Sequence, residues 1–210
     1  MHVQRPNKIE HLESAYSLNT EDISDKLKVV KSKHELNEVR EFRKTEYSKL
    51  LPDIKGFFSD PHDDYSVTLF SRDASGNISS TGRLAFDGPL GLPEENLVAD
   101  LIIKHRKANL KLAEYGRLII RETGAKLVKE YYKSIYLIAI NNGIDSVIVV
   151  SKKKDIYFYE KLIGTKVLST DVNETFGGTE PYACLEWRLE ETRPRFFKWC
   201  QMPQPPHLVD

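Results

Sequence analysis

Leu112-Ala113-Glu114-Tyr115-Gly116-Arg117-Leu118-Ile119-Ile120, followed at once by Arg121-Glu122-Thr123-Gly124-Ala125, is the stretch whose reading decides the fold. Its first part reads as a strand. Thr123 is a plausible N-cap for a long helix that Asn142-Gly143 would end. Val128, Tyr131, Ile135 and Ile138 give that helix an apolar stripe. Asp145–Val150 then follows, nearly all apolar, as a strand covered on both faces should be. A helix that begins at Thr123 points unpaired backbone N–H groups of Gly124, Ala125 and Lys126 outward at its positive dipole end, and Arg121 adds charge at the mouth. Such a start could hold a phosphate, or it could be a capped helix start with no ligand.

Toward the amino terminus, Leu27–Val30 is a strand candidate and residues 33–50 a helix, with Leu36, Val39, Phe42 or Arg43, and Tyr47 at helical spacing. Tyr65–Phe70 and Ile78–Phe86 alternate around the turn signal Ser75-Gly76-Asn77 and make a hairpin. Toward the carboxyl terminus come a helix of residues 152–163 and strands near 165–169 and 181–189. This order predicts an α/β fold, a mixed central sheet with helices on both faces. Residues 1–25 read as a flexible arm, 26–200 as the domain, and 201–210 as a proline-stiffened tail.

The 210 residues suit one domain, and 40% hydrophobic content is enough for a core. Thirty-one basic residues balance thirty-one acidic ones, which gives no argument for a nucleic acid partner. Cys184 and Cys200 form neither a metal-ligand spacing nor a disulfide framework. No apolar signal core or membrane-length run is present, so a cytoplasmic location is expected. Asp60-Pro61-His62-Asp63-Asp64 lacks the pattern of a calcium loop, and His62 has no second histidine at ligand spacing. No metal site is expected.

Charges on the strands carry the chemistry. Glu114 and Arg117 would face opposite sides of a regular strand, and one bulge, which Gly116 permits, would bring them to the same side. A strand splayed there would also free backbone N–H groups to meet a carbonyl. Arg83, among Ser79, Thr81 and Ala85, could anchor a carboxylate through its planar fork, or lie on a solvated hairpin face. Asp60 and Asp63 could orient an amine or cap a neighbouring arginine. Lys104, Arg106 and Lys107, with Lys111, cluster positive charge before the strand, and Lys152-Lys153-Lys154 form a second cluster. Each is either a solvated face or a dock for an acidic partner.

Several of these elements resemble a known superfamily. Tyr159-Glu160-Lys161-Leu162-Ile163-Gly164 looks like the Tyr-Glu-Lys-Leu-Gly-Phe element of GCN5-related N-acetyltransferases (GNAT), with one extra residue before the glycine. Three spaced elements are similar to those of acyl-homoserine-lactone synthases and N-acyl amino acid synthases. They are Arg43-x-x-x-Tyr47, Gly82-Arg83-Leu84 with Gly88-Pro89, and Glu114-x-Gly116-Arg117-Leu118. Three departures stand out: no tryptophan lies near residue 53, Gly116 replaces a serine, and the acetyl-CoA loop survives only partly as Arg121 to Ala125.

The resemblance implies a GNAT-like fold and an N-acyltransferase, best fitted by the N-acyl amino acid synthase branch. It implies a long-chain acyl-phosphopantetheine donor, on an acyl carrier protein or possibly on CoA, a small amine acceptor, and no tightly bound cofactor. In that reading Glu114 deprotonates the amine, Gly116 and Arg117 supply oxyanion donors, and Tyr159 protonates the leaving thiol. Arg43, Tyr47, Asp60, Asp63 and Arg83 form the acceptor site. Arg121, Thr123, Gly124 and Ala125 hold the donor, and Lys104, Arg106 and Lys107 dock its carrier. The alternatives are a homoserine-lactone synthase, and a non-catalytic module of this fold that binds acyl groups or carrier protein.

Overall fold

The structure, a computed structural model, describes residues 18–50, 60–121, 125–170, 172 and 181–206. Its strands are β1 (Lys28–Val29), β2 (Ser66–Arg72), β3 (Ile78–Phe86), β4 (Leu112–Ile120), β5 (Ser146–Lys152), β6 (Lys166–Ser169) and β7 (Tyr182–Arg188). Its α-helices are α1 (Lys33–Leu50), α2 (Ala99–Lys107), α3 (Ala125–Asn141), the single turn α4 (Ile156–Phe158) and α5 (Pro194–Cys200). One seven-stranded sheet in the order β1-β2-β3-β4-β5-β7-β6 contains all the strands. Among the described strands only the β4–β5 pair is parallel, and α3 carries the chain back between them.

Both faces of the sheet are covered, as the apolar β5 sequence requires. On one face Val39 and Phe42 of α1 pack on Phe70 and Ile78, and Ile102 of α2 packs on Leu112 and Ile148. On the other, Tyr131, Ile135 and Ile138 of α3 join Leu69, Leu84, Tyr115, Trp187 and Phe196 in the main core. Strand alternation sorts the residues. Leu84 and Tyr115 face α3, while Arg83 and Glu114, one position away, face α1 and α2.

The expected helix of 152–163 is not a regular α-helix. It passes from a 3₁₀ turn (Lys153–Asp155) through α4 to a π-helical turn, Tyr159–Ile163, closed by Gly164 at φ +100°. Such π turns often mark functional sites. Two helices escape the sequence reading, α2 and α5, both short and apolar on one side only. The amino-terminal arm also ends earlier than residue 25. Thr20–Asp22 is a 3₁₀ turn in which Asp22 accepts a hydrogen bond from Asn141, and Ser24 N–H donates to Ser134. Leu18 and Ile23 pack on the core, so burial orders this segment despite its polar sequence. At the other end Met202 also packs on the core, which shortens the expected tail.

Gly82 on β3 faces α3 at a close approach of sheet and helix. A Cβ there would lie 2.9 Å from Tyr131 Cδ1 and 3.1 Å from the Tyr115 hydroxyl. Gly82→Ala is therefore expected to lower the unfolding free energy by about 1–3 kcal/mol through overpacking. Urea denaturation measures this, and an unchanged midpoint would contradict the close packing.

Candidate active site

The site begins with a bulge. The β3–β4 register runs from Phe86↔Ala113 to Arg83↔Gly116, then shifts, so that Thr81 pairs with Ile119. The residue in the left-handed region is Arg117, at φ +56°, and not Gly116. The effect matches the expectation for the bulge: Arg117 turns to the face that carries Glu114 and Arg83. A non-glycine residue held at positive φ costs energy that the surroundings must offset. Here a salt bridge from Arg117 Nη2 to Asp60 Oδ2, at 3.0 Å, offsets it.

Asp60 is the hub of a buried charge network. Its Oδ2 also accepts from Arg83 Nη1 at 2.5 Å, and its Oδ1 from His62 N–H at 2.9 Å. His62 is therefore a neighbour of an aspartate cap on a 3₁₀ turn (Pro61–Tyr65). Asp63, in that turn, accepts from Arg40 Nε at 3.0 Å, Arg43 Nη1 at 2.8 Å and Arg83 Nη1 at 3.1 Å. Arg43 reaches on to Thr81. Burial alone would raise the Asp60 carboxyl, but Arg83 and Arg117 outweigh it and hold the carboxyl well below the usual range. The same contest, with Arg43 and Arg83, lowers Asp63. Arg83 is 1% exposed, which rules out a solvated hairpin face.

Beside this network the sheet opens. The β4–β5 ladder stops at Tyr115↔Val149. Beyond that point Gly116–Ile120 and Val149–Lys152 line opposite walls of a cleft of about 400 Å³, with Tyr47, Arg83, Glu94, Glu114 and Tyr159. Glu114 is 4% exposed and accepts a hydrogen bond from the Glu94 N–H at 2.8 Å. Burial pushes its carboxyl up to about 8; the Glu94 N–H, Arg83 and Arg117 work against that rise, while the nearby Glu94 carboxyl adds to it. Tyr159 presents a buried hydroxyl that shares a 2.5 Å hydrogen bond with Tyr132 and bonds Ser151. Burial raises its pKa, so the hydroxyl keeps its proton.

Sequence-predicted residues lie in the cleft, behind it or away from it. Glu114, Gly116, Arg117, Tyr159, Tyr47 and Arg83 line the cleft. Arg43, Asp60 and Asp63 stand behind it, as the scaffold that fixes Arg83 and Arg117. Arg121 does not point to the helix start. It turns to α1, paired with Glu46 at 2.7 Å and stacked on Phe42, because α1 packs on that face of the sheet. Thr123 and Gly124 lie outside the described residues, and Ala125 opens α3. On α2, Lys104 and Lys107 are exposed, but Arg106 is not a free docking cation. It holds Asp87 through two hydrogen bonds, at 2.8 and 2.7 Å, and Glu95 at 2.6 Å. The sequence reading missed Glu94, whose only signal was its place in the Gly-Pro-rich turn after β3.

A mixed seven-stranded sheet whose parallel strands β4 and β5 part beyond Tyr115 is a GNAT-like fold. Residues 39–183 match the family N-acyl amino acid synthase FeeM, and the chain belongs to that family of N-acyltransferases. Solved structures agree in fold. An N-acyl amino acid synthase, FeeM, from uncultured soil microbes superposes with a TM-score of 0.64 at 16% identity, over 79% of this chain and 90% of that one. The acyl-homoserine-lactone synthase LasI gives a TM-score of 0.60 at 11% identity, over 85% of this chain and 98% of that one. A putative N-acetyltransferase from Lactobacillus plantarum gives 0.54 at 14% identity, over 79% and 99%. No curated protein matches in sequence.

Asp60→Asn would leave two buried arginines short of a charge partner, and is expected to destabilise the fold by about 3–5 kcal/mol. Because the folded-state pKa of Asp60 is depressed, its contribution is present above the unfolded pKa of about 3.9 and fades as pH falls below it. The stability gap between wild type and variant should therefore narrow below about pH 4 in denaturation measurements. A gap that is small at pH 7, or that widens in acid, would show that Asp60 is not the hub.

Proposed function

We propose that the chain transfers an acyl group, most simply a long-chain one, from the thioester of an acyl carrier protein or CoA to the amine of an amino acid or similar small acceptor. One observation carries the mechanism: a buried carboxyl, Glu114, sits at the open end of the β4–β5 ladder in a cleft that a thioester can enter. The amine nitrogen attacks the thioester carbonyl, forming the N–C bond, and the C–S bond breaks. The amine proton passes to Glu114, directly or through water, and the thiolate takes a proton from Tyr159. A base works best when its pKa lies near the working pH, and burial brings Glu114 there. Backbone N–H groups of β4 around Gly116 and Arg117 supply the donors for the developing oxyanion, which costs no reorganisation on a strand held rigid by Asp60.

Support for the amino acid acceptor comes from Arg83, a guanidinium side chain on a residue that lines the cleft. A carboxylate on the acceptor would meet it. Among the described residues no helix is long and apolar enough to cross a membrane, which suits a cytoplasmic enzyme working on carrier-bound thioesters. Lys104 and Lys107 remain the carrier-facing cations of α2, without Arg106.

The test is to mix the protein with acyl carrier protein, CoA and pantetheine thioesters and a panel of L-amino acids, with S-adenosylmethionine as a further acceptor, and to read amides by mass spectrometry. An N-acyl amino acid is expected. Product from S-adenosylmethionine alone would favour a lactone synthase instead, and donor binding without transfer would favour a non-catalytic module. Glu114→Gln should lower turnover by about 10²–10⁴-fold, the usual loss of a general base. Glu114 is protonated below its pKa, so kcat/KM should fall as pH drops through about 8. Hydroxylamine, largely uncharged at neutral pH, isolates this limb from the titration of the amine. Wild-type rates in Glu114→Gln, or a flat profile from pH 6 to 9, would remove Glu114 from the mechanism.

A further inference from the structure

We infer that Glu94 receives the ammonium group of the acceptor, so that this site selects acceptors that arrive as cations. The inference rests on the acyl-transfer reading above and adds a residue to it.

Glu94 lines the same cleft as Glu114, and its backbone N–H holds Glu114 Oε2 at 2.8 Å. These two carboxyl groups border one cavity, which Asp155 also lines beside Tyr159. Neither has an ion pair within reach among the described residues, although Arg83 and Arg117 are close by. Those guanidinium groups are already committed to Asp60 and Asp63. The charge balance explains why the site wants a cation. Arg40, Arg43, Arg83 and Arg117 meet Asp60, Asp63 and Asp64, which leaves one positive charge over, and Lys152 and Asp155, which also line the cleft, cancel each other. That surplus balances one ionised glutamate, not two. An incoming ammonium meets the second directly, after which one carboxyl can bind the amine and the other can take its proton, while any carboxylate on the acceptor falls to the arginine side of the cleft.

The groups that face this pair come from every side: Arg83 on β3, Arg117 on β4, Asp60 and His62 on the 3₁₀ turn, and Cys184 on β7. Burial raises the Glu94 carboxyl, Arg117 and Arg83 work against that, and the net shift is upward. Arg83, although 1% exposed and paired with Asp60 and Asp63, also lines this cavity. An acceptor with its ammonium on Glu94 could place a carboxylate there.

The segment that carries Glu94 is held rigid, as a recognition residue requires. Arg106 ties Asp87 and Glu95 together from α2, and Glu95 Oε2 accepts the Leu92 N–H at 2.9 Å. Gly91, at φ +69°, leaves the space that the Glu95 carboxylate fills; a Cβ there would lie 2.3 Å from Oε2. The α2 arginine that the sequence suggested for docking thus positions the acceptor site.

Glu94→Gln removes the charge and keeps the backbone N–H that binds Glu114. The experiment compares kcat/KM of wild type and variant with a pantetheine thioester as donor and two nucleophiles: the best amino acid of the panel, which is protonated at neutral pH, and hydroxylamine. The variant should lose about tenfold to a hundredfold more with the amino acid than with hydroxylamine, chiefly in KM, as loss of a charge-assisted hydrogen bond implies. Removing a like charge should also move the Glu114 limb with hydroxylamine to lower pH. Equal loss on both nucleophiles, or an unmoved limb, would overturn the role of Glu94 alone. A wild type that acylates neither nucleophile would overturn the acyl-transfer reading and Glu94 with it.

Discussion

The carboxylate of Asp60 is the constraint on which the site depends. It bridges Arg83 and Arg117, from two adjacent antiparallel strands, at the point where β4 bulges. Without that bridge the positive φ of Arg117 would have no compensation, and a regular β4 would turn Arg117 toward α3 and away from Glu114. The bulge in turn sets the splay. Once β4 twists away after Tyr115, β5 cannot follow it, and the cleft opens. One buried ion network thus shapes backbone and electrostatics together.

Electrostatically, the network works as a reservoir of bound charge. The aspartates stay ionised because the arginines are in direct contact with them, whereas Glu114 and Glu94, only a side chain away, are left to the cost of burial. Two kinds of carboxyl therefore coexist in one site, one held as anions and one whose proton affinity burial raises. Such a division is what acid–base chemistry at neutral pH needs, and it arises from which carboxyls the arginines can reach.

Most of the fold was legible because the sheet is regular and both of its faces are covered. The helix of residues 33–50 and the strands 78–86 and 112–120 lie where periodicity puts them. Helix α2 was hidden by its own sequence: Lys104 to Lys107 read as a charge cluster, while the apolar contacts of Ile102 reach a strand ten residues ahead, β4. The site was legible in part. Glu114, Arg117 and Arg83 stood out as charges on apolar strands, and the need for a bulge followed from alternation alone. That Arg117 and not Gly116 carries the unusual φ did not, since it depends on Asp60, more than fifty residues earlier. Glu94 gave no signal beyond its place in the Gly-Pro-rich turn, because its role rests on a backbone N–H and a turn shape.

The most direct measurement is a crystal structure with an acyl-pantetheine thioether, in which a methylene blocks transfer. The account predicts the sulfur and the acyl carbon between β4 and β5, beside Gly116, with the Tyr159 hydroxyl on the sulfur side and Glu114 on the acceptor side. A pantetheine arm bound elsewhere, with the β4–β5 cleft left to solvent, would contradict it.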